Sequence, residues 1–138
     1  MNKRVLFLCT GNSCRSQMAE GYLLSLAGSA YEVFSAGVEP VEVNPLAVKV
    51  MSEVAIDISK QRSKSVTEFS GQKFDYVITV CDNAKQACPV FIGDYKKIHW
   101  DLEDPAKADG SEQEKLTVFR EIRNKINKNI LEFLRLEA

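Results

Sequence analysis

Cys9 and Arg15 are separated by five residues in "CTGNSCRS", residues 9–16, which follows the apolar run "VLFL" directly. Thr10, Gly11, Asn12 and Ser13 are compact residues suited to a tight turn between a strand and a helix. Such a turn aims successive backbone N–H groups inward, and the positive end of the following helix adds to their field. Arg15 supplies a planar fork that matches two oxygens of a tetrahedral oxyanion. A thiol at the centre of such a cradle is biased toward its anion. A free cysteine titrates near about 8.5, and positive settings of this kind bring it to about 3.5–7.5. Ser16 can give the thiolate a further hydrogen bond. A thiolate beneath a bound oxyanion is placed to attack phosphorus or arsenic. The plain alternative is a strand-to-helix turn with a buried Cys9 and a surface Arg15.

Three other cysteines need an account. Cys14 falls in the first turn of the expected helix, where a small apolar packing role suits it. Cys81 and Cys88 have six residues between them in "VCDNAKQACPV". Zinc sites pair their cysteines at spacings of two to four, so these four residues fit a metal centre poorly and no metal is expected. A pair of buried structural thiols and a redox pair both stay open from spacing alone.

The elements that would hold these residues alternate. Residues 3–8 predict a buried strand, and "YEVFSAG" at 31–37 a second. "FDYVITV" at 74–80 predicts a third strand leading into Cys81, and a shorter one lies near "YKKIHW". Met18, Ala19, Tyr22, Leu23, Leu26 and Ala27 recur at helical spacing ahead of Gly28. Asn44 and Pro45 form an N-cap pair before Ala47, Val48, Met51 and Val54. The last helix is expected from about residue 111, with Val118, Phe119, Ile122, Ile126, Ile130, Phe133 and Leu134 as its stripe. The fold class is α/β: one domain over 1–138, a four-stranded parallel sheet with helices on both faces. In such sheets the working site lies at the carboxyl ends of the strands, where Cys9 and Cys81 meet at one rim.

Composition limits the partners. Eighteen basic and nineteen acidic residues leave a net charge of -1, so no global field draws nucleic acid or a membrane surface. The apolar run after "MNKR" ends at Cys9, short of a signal sequence, and no stretch is long enough to span a bilayer. A cytoplasmic monomer is the expectation, and there thiols are kept reduced.

"CTGNSCRSQMAEG" resembles the phosphate-binding loop and first helix of the low-molecular-weight tyrosine phosphatase fold, and more narrowly the thioredoxin-coupled arsenate reductases built on it. The likeness continues through "SAG" at 35–37, "NP" at 44–45, "DIS" at 57–59, "CDNAKQACP" at 81–89 and "HWDLEDP" at 99–105. The resemblance implies an oxyanion site made by Thr10, Gly11, Asn12, Ser13, Cys14, Arg15 and Ser16. It implies that Cys9 attacks arsenate, that Cys81 then attacks Cys9 to release arsenite, and that Cys88 attacks Cys81. Thioredoxin would reduce the final disulfide, and no cofactor is needed.

Asp104, before Pro105, stands where the family keeps a general acid, with Asp101 and Glu103 as neighbouring substitutes. His99 is expected to pack beside Trp100, and "YKK" at 95–97 to be a solvated edge. Some relatives carry a monovalent cation near positions resembling Asn12, Glu20, Ser35 and 62–64. Here that segment reads "RSK", and the Lys64 ammonium would take the cation's place, so no potassium requirement is expected. Two rival functions remain: a low-molecular-weight tyrosine phosphatase, and a non-catalytic oxyanion or thiol sensor. Ala106 and Lys107 after Asp-Pro weigh against the phosphatase, which usually has tyrosine there.

Overall fold

The structure, a computed structural model, describes residues 2–80 and 93–137. Among the described residues four strands form one parallel sheet: β1 (Lys3–Cys9), β2 (Tyr31–Gly37), β3 (Tyr76–Thr79) and β4 (Lys96–His99). Their order is β2-β1-β3-β4. Val5, Leu6, Phe7 and Leu8 are fully buried although alternate side chains face opposite sides, as a central strand covered on both faces requires.

Among the described residues there are three α-helices, α1 (Arg15–Ala27), α2 (Pro45–Ser52) and α3 (Glu112–Leu136); α1 and α3 lie against one face of the sheet, and α2 packs on α1 and α3. Phe133 of α3 meets the rings of Tyr31 and Tyr76 with centroids 5.7 and 5.0 Å apart. Ser35, two register steps from Val33 on the same side of β2, bonds Glu20 of α1. On the opposite face a 3-10 turn at Val66–Phe69 brings Phe69 to Phe34 at 5.6 Å. Helical segments thus cover both faces. The expected strands are present with slightly different ends, and Lys96 and Lys97 are exposed on β4.

The helix ends follow from their caps. Asn44 Oδ1 accepts the Leu46 N–H ahead of α2, and Ser111 and Glu114 close a capping box at the start of α3. The α3 stripe buries Phe119, Ile122, Ile126, Ile130 and Phe133.

Two expected apolar positions differ. Val54 lies beyond the end of α2 and is exposed, and Leu26 is 48% exposed in the last turn of α1. The first two turns of α1 are instead buried all round, Ser16, Gln17 and Glu20 included, because α1 sits between the sheet, α2 and α3. A helix enclosed on every side has no solvent face for periodicity to mark.

The chain leaves β1 toward β2 on one side and later returns to β3 on the other. The carboxyl end of β1 is therefore the switch point of the sheet. Cys9 is its last residue.

Candidate active site

Residues 10–14 curl over the end of β1 before α1 begins at Arg15. Gly37 at the end of β2 makes room: a Cβ there would stand 2.6 Å from the Thr10 carbonyl and 2.8 Å from the Asn12 nitrogen. Asn12 takes a left-handed backbone, φ +50°. Asparagine tolerates that conformation better than most residues. The result aims the Asn12 N–H at Cys9 Sγ, 3.0 Å away.

Ser16 Oγ lies 2.7 Å from Cys9 Sγ and accepts from Asn12 Nδ2 at 2.8 Å. The Asn12 amide is oriented by its other end, where Oδ1 accepts from the Lys64 N–H at 2.8 Å and Gln17 Nε2 at 3.0 Å. Ser16 therefore has its own proton free for the sulfur. Burial pushes the Cys9 thiol up from its ordinary value, while Ser16, then Arg15 and Asn12 pull it down. This corrects the expectation of a simply lowered thiol, which weighed the donors and not the burial of a residue 2% exposed. The donors are what make a thiolate attainable in so dry a place.

Arg15 is buried, unlike a surface arginine. Its Nη1 donates to the Leu102 carbonyl at 2.9 Å and its Nη2 lies 3.6 Å from Asp104 Oδ2. Asp104 caps the 3-10 turn Pro105–Lys107 through the Ala106 N–H, 3.0 Å from Oδ1. Thr10, Gly11, Ser13, Cys14, Arg15 and Asp104 line a hollow of about 230 Å³ above Cys9. Asn12 and Ser16 instead sit behind the sulfur. Asp101 and Glu103 line an adjoining cleft of about 570 Å³ rather than the hollow. A tetrahedral oxyanion set in the hollow would lie against the loop and Arg15, with two carboxyl groups in the lining, Asp104 and Glu39.

Cys14 is buried beside Ser13 Oγ at 3.3 Å, and burial pushes its thiol up to about 12. His99 accepts or donates at Nδ1 to Thr79 Oγ1, 2.7 Å away, and Trp100 stacks on Phe7 at 5.8 Å. Lys64 Nζ lies 3.8 Å from Glu20 Oε1 and donates to the Arg62 carbonyl at 2.7 Å. Burial pushes the Glu20 carboxyl up and the Lys64 ammonium down, and each opposes the shift of the other. The ammonium stands beside Glu20, whose Oε1 also accepts from Ser35 Oγ. Among the described residues no group of acidic, His or Cys side chains converges to hold a metal ion. Cys81 and Cys88 lie outside the described residues.

Sequence reasoning missed four contributors: the Leu102 carbonyl, Gln17, Glu39 and Val41, the last two at the rim of the hollow. A backbone carbonyl leaves no trace in a sequence. Gln17 directly follows the loop motif, which is the one signal that could have marked it.

Residues 4–137 match the family model described as low molecular weight phosphotyrosine protein phosphatase. An arsenate reductase of Halalkalibacterium halodurans is 49% identical over 134 residues, covering 96% of both chains. A solved structure described as an arsenate reductase in oxidized state superposes with TM-score 0.85 at 33% identity, covering 99% of both. A thioredoxin-dependent arsenate reductase of Corynebacterium glutamicum superposes with TM-score 0.73 at 32% identity, covering 99% of this chain and 64% of that one.

Proposed function

The chain belongs to the low molecular weight phosphotyrosine protein phosphatase family, and from that premise we propose that it reduces arsenate to arsenite and is renewed by thioredoxin. The observation that carries the reading is the Cys9 sulfur, held by Ser16 Oγ at 2.7 Å and the Asn12 N–H at 3.0 Å under a hollow of about 230 Å³ that Arg15 lines. Relatives named arsenate reductases, one of them thioredoxin-dependent, support the choice of substrate and reductant.

In this mechanism arsenate enters the hollow with its oxygens on the loop N–H groups and Arg15. The Cys9 thiolate attacks arsenic, a sulfur–arsenic bond forms, and Asp104 gives its proton to the departing oxygen, which leaves as water. The Cys81 thiolate then attacks Cys9 Sγ. The sulfur–arsenic bond breaks and its electron pair stays on arsenic, which leaves as arsenite while a Cys9–Cys81 disulfide forms. Cys88 attacks Cys81, Cys9 is released as a thiolate, and the two electrons' worth of oxidation rests on Cys81–Cys88. A dithiol of thioredoxin reduces that bridge. No cofactor takes part. We place the protein in the cytoplasm as a monomer, and no helix among the described residues is long and apolar enough to cross a membrane.

A phosphatase side activity follows from the same parts, because Cys9, Arg15 and Asp104 suffice to form and hydrolyse a phosphocysteine. The deciding experiment couples purified protein and arsenate to thioredoxin, thioredoxin reductase and NADPH, beside an aryl phosphate assay. Arsenate-dependent NADPH oxidation is expected to dominate, and Cys88→Ser is expected to release about one arsenite per enzyme and stop. Fast aryl phosphate hydrolysis without NADPH oxidation assigns the protein to the phosphatases instead.

A further inference from the structure

Gln17, the third residue of α1, is fully buried. A long amide in such a place must find partners for its polar atoms. Its Nε2 lies 3.0 Å from the Asn12 carbonyl, 3.0 Å from Asn12 Oδ1 and 2.9 Å from the Arg62 carbonyl. Three acceptors share two amide protons, so the nitrogen end, not the oxygen end, must face them. The Oε1 atom accepts from Gln61 Nε2 at 2.7 Å, and Gln61 Nε2 also reaches the Gln17 carbonyl at 3.0 Å. The segment at 61–64 is thereby strapped to the turn that holds the sulfur.

We propose that Gln17 is a positioning residue for the Cys9 thiolate, holding Asn12 in its left-handed conformation so that two donors converge on the sulfur. The proposal rests on Cys9 being the nucleophile. One donor is the Asn12 N–H itself, which points at Sγ only while that backbone persists. The other is the Ser16 hydroxyl, which Asn12 Nδ2 holds by donating to its oxygen and which can only donate to Sγ once the sulfur is ionised. Gln17 grips Asn12 at its carbonyl and at Oδ1, so it fixes the backbone and the amide together. Gln17 touches neither Cys9 nor the hollow, and acts wholly through Asn12.

The test is Gln17→Met, which keeps length and helix preference and removes the amide. Each acceptor that Gln17 serves keeps a second donor: Ser63 Oγ for the Asn12 carbonyl at 2.7 Å, the Lys64 N–H for Asn12 Oδ1 at 2.8 Å, and Lys64 Nζ for the Arg62 carbonyl at 2.7 Å. The variant should therefore fold. Cys14, Cys81 and Cys88 are replaced by serine so that iodoacetamide reads Cys9 alone, and the alkylation rate is followed against pH with and without Gln17→Met. The expected result is a titration midpoint about one pH unit higher. A thiolate with fewer donors is also a better nucleophile, so the high-pH plateau should rise about threefold and alkylation below both midpoints should slow about threefold.

Superimposed pH profiles, with or without a lower melting temperature, make Gln17 a packing residue and overturn the proposal. If Gln17→Met does not fold, Gln61→Ala removes the strap's outer end, and an upward shift of the same sign is required of it. An unmoved profile there is equally decisive against. Arsenate turnover by Cys9→Ser tests the nucleophile separately. Activity in that variant would defeat the reading of Cys9, whatever the alkylation profiles do.

Discussion

Ser16 Oγ accepts from Asn12 Nδ2 and lies 2.7 Å from Cys9 Sγ; once the sulfur is ionised the hydroxyl can only donate to it, in a charge-assisted bond. Such a bond contributes about 1.5–3 kcal/mol. Ser16→Ala should therefore lower the thiolate population about ten- to a hundredfold at pH values below the Cys9 midpoint. The midpoint of the alkylation rate against pH measures it, and an unshifted midpoint refutes it. Cys14 has nearly the same burial and no comparable set of donors: burial first, then Asp104 and Cys9, push its thiol up to about 12 against the Ser13 bond and the Arg15 charge. Cys14→Ser should turn over arsenate close to the native rate, whereas Cys9→Ser should have none. Reduced turnover in Cys14→Ser at unchanged stability would give that thiol a part in the chemistry. The difference between these two cysteines was partly legible, because only Cys9 ends a strand beneath the loop. The upward push of burial on Cys9 was not, since composition does not reveal how dry a loop becomes once α1 and β2 close on it.

At the scale of elements, α2 and α3 are joined by charge as well as by apolar contact. Glu53, the C-cap of α2, accepts from Arg120 Nη2 at 2.7 Å and Arg123 Nη1 at 2.8 Å. Arg123 Nη1 also closes the Val50 carbonyl at 2.9 Å, an orphan of the helix end. The bonds to Arg120 first, and then those to Arg123, hold the Glu53 carboxyl down at about 2. An unfolded glutamate titrates near about 4.3. The contribution is thus present above that value and disappears as pH falls from it toward about 2. Melting temperatures taken from pH 6 down to about 2 should fall more steeply for the native protein than for Glu53→Gln. Parallel curves would mean that the clamp is loose in solution. The helices themselves were legible from their stripes and caps. Their mutual packing was not, and neither were the exposed Leu26 and the buried polar face of α1. Those depend on which elements enclose a helix, and only the assembled fold decides that.

At the scale of the whole molecule, charge is balanced and the site's attraction for anions is entirely local. Eighteen basic residues face nineteen acidic ones, and the cleft beside the hollow carries Asp101, Glu103 and Asp109. An approaching arsenate therefore meets no long-range positive field, and on the reading proposed above binding begins when its oxygens reach the loop N–H groups and Arg15. Ordinary salt acts on long-range fields, with a screening length of about 8 Å at physiological ionic strength. It acts little on donors in direct contact with a buried anion. Raising chloride from about 0.05 to about 0.3 M should thus leave kcat/KM for arsenate flat or slightly higher, because screening first relieves the acidic rim. Sulfate at matched ionic strength should instead raise KM without changing kcat, since its tetrahedral oxygens fit the same hollow. Steady-state assays in the two salts separate the cases. A fall in kcat/KM with chloride as steep as with sulfate would mean that steering by a distributed field, and not the cradle at the end of β1, brings the anion in.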